Sequence, residues 1–386
     1  MANNSSFDDT LTIEEWEEGG SGWQKLHEWK FVAAILMSAC CFGGLCGNTI
    51  SSFIFLHQSM RMSPINFLLA AVSLIDLSVL VLIIPLLILP GMNFYFQSQT
   101  IYQLYLNCVL VAYPIVLMSQ TASTWTYVLV VVERYMAVCQ PLKKYKLLTM
   151  SQAKKAQWFI ILLSIVYNVV RFFEYRRSED GHVEEYLRAS VFYFLFYYAT
   201  LHLATHFLIP LSVIVVLNVR IIRTLTCRRQ DKVPLRRCTV KASFNVRRQT
   251  RTAWMIVVAT GAFVLTNILT FFVNLWEAVD PDVMKGSGRW TITIHAVSDL
   301  ANILLTSHSA CTFVIYMTFC RQYRCLFRRL AVQAKMKIMR LLDRRFDENI
   351  RVDWQQLATT QAHYSLTKDE ARTSVFRTRT LSTLAH

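Results

Sequence analysis

Long apolar stretches alternate with polar ones along this chain. They run at about Phe31–His57, Pro64–Leu89, Tyr102–Leu142, Gln152–Asn168, Ser190–Val219, Thr252–Val279 and Trp290–Thr318. A helix needs about 20 mostly apolar residues to cross a bilayer core, so the pattern predicts seven spanning helices. The third run is the sharpest. It ends Val130-Val131-Val132-Glu133-Arg134-Tyr135, and its acid-base pair falls at the hydrocarbon edge, where charge is tolerated. Such pairs also serve as plain topological anchors.

Composition agrees with this reading. Apolar residues make up 54% of the chain and charged residues 17%, too apolar for an ordinary soluble domain. The formal net charge of +15 would suggest nucleic acid in a soluble protein. Here the basic residues lie between apolar runs, so they predict orientation in a membrane and no nucleic-acid partner. Arg61, then Lys143, Lys144 and Lys146, then the loop from Arg220 to Arg251, then Arg321, Arg324, Arg328 and Arg329 follow the odd-numbered runs. The positive-inside rule therefore expects the N-terminus outside and the C-terminus in the cytosol. The first residues are polar and acidic rather than basic then apolar, so no cleavable signal is expected.

Residues 1–29 read as an extracellular acidic tail. It carries glycosylation acceptors at Asn3 and Asn4. Residues 30–318 read as the membrane domain. Residues 319–345 read as a cytoplasmic amphipathic, basic helix, with Phe319, Tyr323, Leu326, Phe327 and Leu330 at helical spacing against the lipid of the inner leaflet. Cys320 and Cys325 are palmitoylation candidates there. Residues 346–386 read as a disordered tail, whose end, 360–386, is rich in Ser and Thr as candidate kinase acceptors. The ten cysteines do not form a disulfide scaffold: most lie in apolar runs or in segments assigned to the reducing cytosol.

Several polar residues interrupt the apolar runs. Asp76 is a carboxylate that needs a partner, an ion or a proton at membrane depth. Asn48, Ser123 and His308 are placed to meet it mid-bundle in a water-mediated polar network. No HExxH, GxSxG or phosphate loop is present, so no enzyme is expected.

Asn48, Asp76, Glu133-Arg134-Tyr135, Trp158 and Pro210 occur in that order, one set per successive run. Over about residues 30–330 the chain resembles rhodopsin-like G-protein-coupled receptors. The resemblance implies an all-α seven-helix bundle in the plasma membrane. It also implies a ligand among the outer helix ends and a heterotrimeric G protein beside Arg134, with arrestin and receptor kinases as further partners. Glu133, Arg134, Tyr135, Asn218 and Tyr316 then belong to coupling and activation, and a sodium ion near Asp76 is the family precedent.

The sequence departs from that family at several points. The seventh run ends Thr312-Phe313-Val314-Ile315-Tyr316 instead of Asn-Pro-x-x-Tyr, and the sixth lacks its proline. Cys108 is a near match for the family's outer disulfide, but residues 175–189 contain no cysteine. Cys108 is therefore expected to be unpaired, with the loop held by packing. About five turns before Arg134 the third run reads Pro114-Ile115-Val116-Leu117-Met118, with no acid for an amine ligand, and the seventh run has no lysine for a retinal Schiff base.

Arg171-Phe172-Phe173-Glu174-Tyr175, Pro210 with Leu217-Asn218, and Asn274-Leu275-Trp276-Glu277 are similar to invertebrate FMRFamide-type neuropeptide receptors. A peptide ending in Arg-Phe-amide needs an acid for its guanidinium and an aromatic wall for its ring. Glu174, Glu277 and Asp299 are the candidate acids, and Tyr113, Phe172, Phe173 and Trp276 the candidate walls. Two other classes remain: a receptor-like protein acting without ligand or in complexes, and a transporter or channel. Asp76 and His308 are nearly alone as intramembrane ionisable groups, and no internal repeat is visible, which favours a receptor over a transporter.

Overall fold

The computed structural model describes residues 21–141, 149–178, 183–230, 240–281, 283, 289–340 and 355–356. The glycosylation acceptors Asn3 and Asn4, residues 231–239 of the basic third inner loop and nearly all of the Ser/Thr-rich tail lie outside them. Among the described residues, seven helices are long and apolar enough to cross a membrane. They are α1 (Gln24–Leu56), α2 (Pro64–Phe96), α3 (Gln99–Cys139), α4 (Met150–Phe173), α5 (Tyr193–Cys227), α6 (Gln249–Val279) and α7 (Trp290–Phe319). A further helix, α8, covers 321–340. The chain divides into one compact unit through Arg324 and a second from Cys325 onward.

The bundle is inverted relative to a soluble protein. Large apolar side chains such as Phe42, Phe53, Phe192 and Leu265 are exposed around it, while Asn48, Asp76, Glu133, Arg134 and His308 are buried. That is the arrangement for a hydrocarbon solvent, where apolar groups face out and every polar group needs an internal partner. Helix α3 runs through the middle, packing on α2, α4, α5 and α6, and α1 packs on α2 and α7. Small residues permit the closest approach: a Cβ added at Gly47 would lie 2.8 Å from Phe313 Cβ, and one at Gly44 2.9 Å from Leu80 Cδ1. Ala33, Met37 and Cys41 of α1 close over Val79, Leu80 and Ile83 of α2 and Val116 of α3.

Two spans, α2 and α4, extend outward beyond their hydropathy edges, and α5 widens its turns. Helix α2 passes through wide π turns at Ile84–Ile88, which contain Pro85, and continues to Phe96. Helix α4 ends in a 3-10 turn, Val169–Phe173. Helix α5 is π-helical over Tyr193–Leu201 and Leu203–Leu208, just ahead of Pro210. Proline offers no N–H to the carbonyl four residues back, and wider turns are one way the backbone adjusts.

Between α4 and α5, strand β1 (Tyr175–Arg177) pairs antiparallel with β2 (Val183–Glu185), Arg176 opposite Glu184. This outer hairpin is clamped on α3. Val183 is buried among Tyr105, Leu106 and Val109, and Arg177 Nη1 donates to Asn107 Oδ1 at 3.1 Å. Cys108, the neighbour of Asn107, is a free thiol.

Candidate functional site

The site has three levels. At the outer mouth, acids and guanidiniums interleave with tyrosines. The 3-10 turn after α4 places Arg171 and Glu174 three residues apart, fully buried, with Arg171 Nη1 3.0 Å from Glu174 Oε1. Glu174 also accepts from Tyr193 OH at 2.6 Å, and Tyr113 OH accepts from Arg171 at 3.4 Å. Arg188, between β2 and α5, forms an ion pair with Glu277 at the end of α6. Its guanidinium lies 4.2 Å from the centroid of the Tyr198 ring and donates to Tyr175 OH at 2.8 Å. Tyr198 in turn donates to the other Glu277 oxygen at 3.0 Å. Arg171 reaches the same Tyr198 ring at 5.5 Å, so one tyrosine separates the two cations. Burial, above all, lifts the Tyr175 hydroxyl above its ordinary pKa, so it remains protonated beside Arg188.

All three nominated acids thus have internal cations, the third being Asp299, 3.7 Å from Lys30 of α1. Tyr113 lies within this level, stacked edge-on with Tyr175 at 5.5 Å. Trp276 faces Trp290 across the α6–α7 mouth at 5.8 Å. Phe172 and Phe173 are exposed on the turn beside Arg171, as residues of an interfacial aromatic belt are.

Below the mouth is a cavity of about 200 Å³. Its lining includes Gln120, His202, His206, Asn267, Asn274 and Asn302 above, and Asp76, Ser123, Tyr127 and His308 below. Ser123 Oγ donates to Asp76 Oδ1 at 2.8 Å, and the hydroxyls of Ser309 and Tyr127 face the same carboxylate. Tyr127 OH pairs with His308 Nε2 at 3.1 Å, and its ring stacks on Phe263 of α6 at 4.6 Å. Asn48 Nδ2 donates to the Ser309 carbonyl at 3.1 Å, and Thr312 Oγ1 donates to it at 2.8 Å. A proline at position 313 would have freed that same carbonyl from its helical partner. Without the proline, two side chains compete for it. The oxygens of Asp76, Ser123 and Ser309 are of the type that suits a hard cation such as sodium.

At the inner end Glu133 and Arg134 are ion-paired and buried, with Arg134 Nε on Glu133 Oε2. Arg134 borders a second cavity, of about 230 Å³, shared with Phe55, Asn66, Gln249, Thr252 and Cys320. Tyr135 OH accepts from Gln140 at 3.2 Å. Asn218 of α5 donates to Thr260 of α6 at 2.9 Å. Tyr316 is fully buried, edge-on to Phe55 and tilted against Tyr323 of α8, whose hydroxyl meets Ser51 Oγ at 2.8 Å.

Sequence reasoning missed several of these residues. Tyr127 lies two turns before Arg134, so it shares a helix face with it. His202 and His206, stacked at 4.9 Å, stand four apart in an apolar run. Both signals were present at helical spacing. Arg188 had none, because its partner Glu277 lies far along the chain.

A family model described as 7 transmembrane receptor (rhodopsin family) matches residues 47–320. The chain belongs to that family. It is therefore a multi-pass membrane protein of a receptor class, and the family is one of signalling proteins rather than enzymes. The FMRFamide peptide receptor frpr-18 of Caenorhabditis elegans is 32% identical over 287 residues, 73% of this chain and 65% of that protein. The FMRFamide receptor of Drosophila melanogaster is 27% identical over 312 residues, 77% of this chain and 53% of that one. The thyrotropin-releasing hormone receptor of Gallus gallus is 29% identical over 146 residues, 38% and 35% of the two chains. The chain spans less than two thirds of the length of the two FMRFamide receptors it matches.

Proposed function

We propose that this receptor responds at the plasma membrane to an extracellular neuropeptide ending in Arg-Phe-amide and relays it to a heterotrimeric G protein. The observation that carries the reading is the outer cluster of Glu277, Tyr198 and Tyr175. It holds a guanidinium by charge, ring face and hydroxyl together. Two FMRFamide receptors among its relatives support the same ligand class. The mid-bundle cavity lies below that cluster, and the Arg134 cavity offers the inner docking surface. A ligand shifts such a receptor only by its differential affinity for two arrangements. The buried Glu133–Arg134 pair is the resting contact that the active arrangement gives up.

The test is a panel of amidated peptides on cells expressing the receptor, read by second messengers. Activation by Arg-Phe-amide endings but not by their free acids is expected. Glu277→Arg is expected to lose the response at unchanged surface level. No response to any such peptide sinks the reading. The internal pairing of all three outer acids favours a second reading, signalling without ligand, which basal activity in peptide-free cells would reveal. In either reading the network around Asp76 is water-mediated. Agonist affinity should then be independent of sodium; a fall in affinity as sodium rises that Asp76→Asn abolishes would put sodium, the family precedent, there instead.

A further inference from the structure

Arg188 occupies a site with every feature of a ligand pocket for an arginine side chain. Glu277 supplies the countercharge, Tyr198 a ring face at 4.2 Å, Tyr175 an acceptor at 2.8 Å, and Glu185 a second carboxylate at 3.6 Å. Two carboxylates, two aromatic rings and a hydroxyl converging on one group form a built site rather than a surface ion pair. The side chains of Arg188 and Glu277 retain 14% and 15% of their exposure, so the pair is not sealed from solvent.

The backbone that presents Arg188 is anchored independently of its side chain. Tyr186 N donates to the Glu174 carbonyl at 2.8 Å, and Leu187 N to the Phe173 carbonyl at 3.2 Å. The guanidinium can therefore leave by rotation about its own side-chain bonds while the loop stays on α4. A guanidinium that enters after Arg188 has swung away pairs Glu277 again, and so offsets the cost of the unpaired, largely desolvated carboxylate that keeps the open state rare.

We propose that Arg188 is a tethered internal competitor for the guanidinium site of Glu277, Tyr198 and Tyr175, and that it sets how readily an arginine-bearing ligand enters. The inference rests on the peptide reading above and names the group that opposes it. A residue held beside its site competes at an effective concentration of about a millimolar or more. A ligand then meets an open site only in the fraction of molecules whose Arg188 has swung away, and its apparent affinity falls by that fraction.

The test uses the full-length receptor, purified, with argininamide as probe and citrullinamide, its uncharged isostere, as control. In Arg188→Gln, argininamide is expected to raise the melting temperature by about 3 °C or more at saturation. Citrullinamide should not, and adding Glu277→Gln should remove the effect. In the unmodified receptor the same charge-selective shift should need about tenfold or more argininamide. Indistinguishable curves for the two probes in Arg188→Gln overturn the inference. Should that variant fail to fold, the unmodified receptor decides. A shift selective for argininamide and lost in Glu277→Gln supports the inference, and coincident curves overturn it. The probe needs no peptide agonist. A silent probe beside a responsive Arg-Phe-amide peptide sinks only this inference. A bound probe beside an unresponsive peptide panel sinks only the reading it rests on.

Discussion

Two buried ion pairs behave differently because their surroundings differ. Glu174 and Arg171 are sealed inside the bundle wall, with Tyr193 as a further donor to the acid. Removing one partner of such a pair leaves a bare charge in low dielectric and costs about 3–5 kcal/mol. Glu174→Ala is therefore expected to lower the melting temperature and the surface level together. An unchanged melt would mean that Arg171 finds another acceptor. Glu133 and Arg134 border a cavity at the inner end, so their pair can open towards a partner. Arg134→Ala is expected to abolish second-messenger output at normal surface expression. Output within twofold of the unmodified receptor would remove Arg134 from the coupling role.

At the scale of elements, the outer hairpin replaces a covalent tether with packing. Val183 fills a pocket on α3 and Arg177 binds Asn107, next to the thiol of Cys108. Cys108→Ser is expected to leave expression and non-reducing mobility unchanged. Val183→Asp should free the hairpin, exposing residues 175–185 to hydrogen exchange, because an acid cannot replace a buried valine without a partner. Fast exchange in Cys108→Ser with slow exchange in Val183→Asp would reverse the assignment. That residues 175–189 hold no cysteine is read directly from the chain. The substitute for a disulfide is not, because Val183 and Asn107 are ordinary residues until the hairpin register brings them to α3.

At the scale of the whole molecule, the seven spans and the loop charges are one argument. Arginine and lysine follow the odd-numbered spans, so the positive-inside rule predicts the N-terminus outside and the C-terminus in the cytosol. Epitope tags on the two tails of the receptor in intact cells should be reached from opposite sides of the membrane. Finding both on one face would break the topology on which the site's three levels depend. The activation path also belongs to this scale. Helices α6 and α7 lack the family's prolines, and Tyr127, Phe263 and His308 instead tie α3, α6 and α7 through one stacked, one tilted and one edge-on ring contact.

What could be known from the chain alone was whatever depends on local runs and local spacing. A span is recognised by its length and polarity, because hydrocarbon penalises every unsatisfied polar group in the same way wherever it occurs. Asp76, Asn48 and the Glu133–Arg134 pair stood out for that reason. Pairing between distant residues was decided only in the folded bundle. Glu277 looked like a free acid in sequence and proved to be held by Arg188, some ninety positions earlier. Such a contact depends on how α5 and α6 sit beside the hairpin, and no periodicity within either segment encodes it.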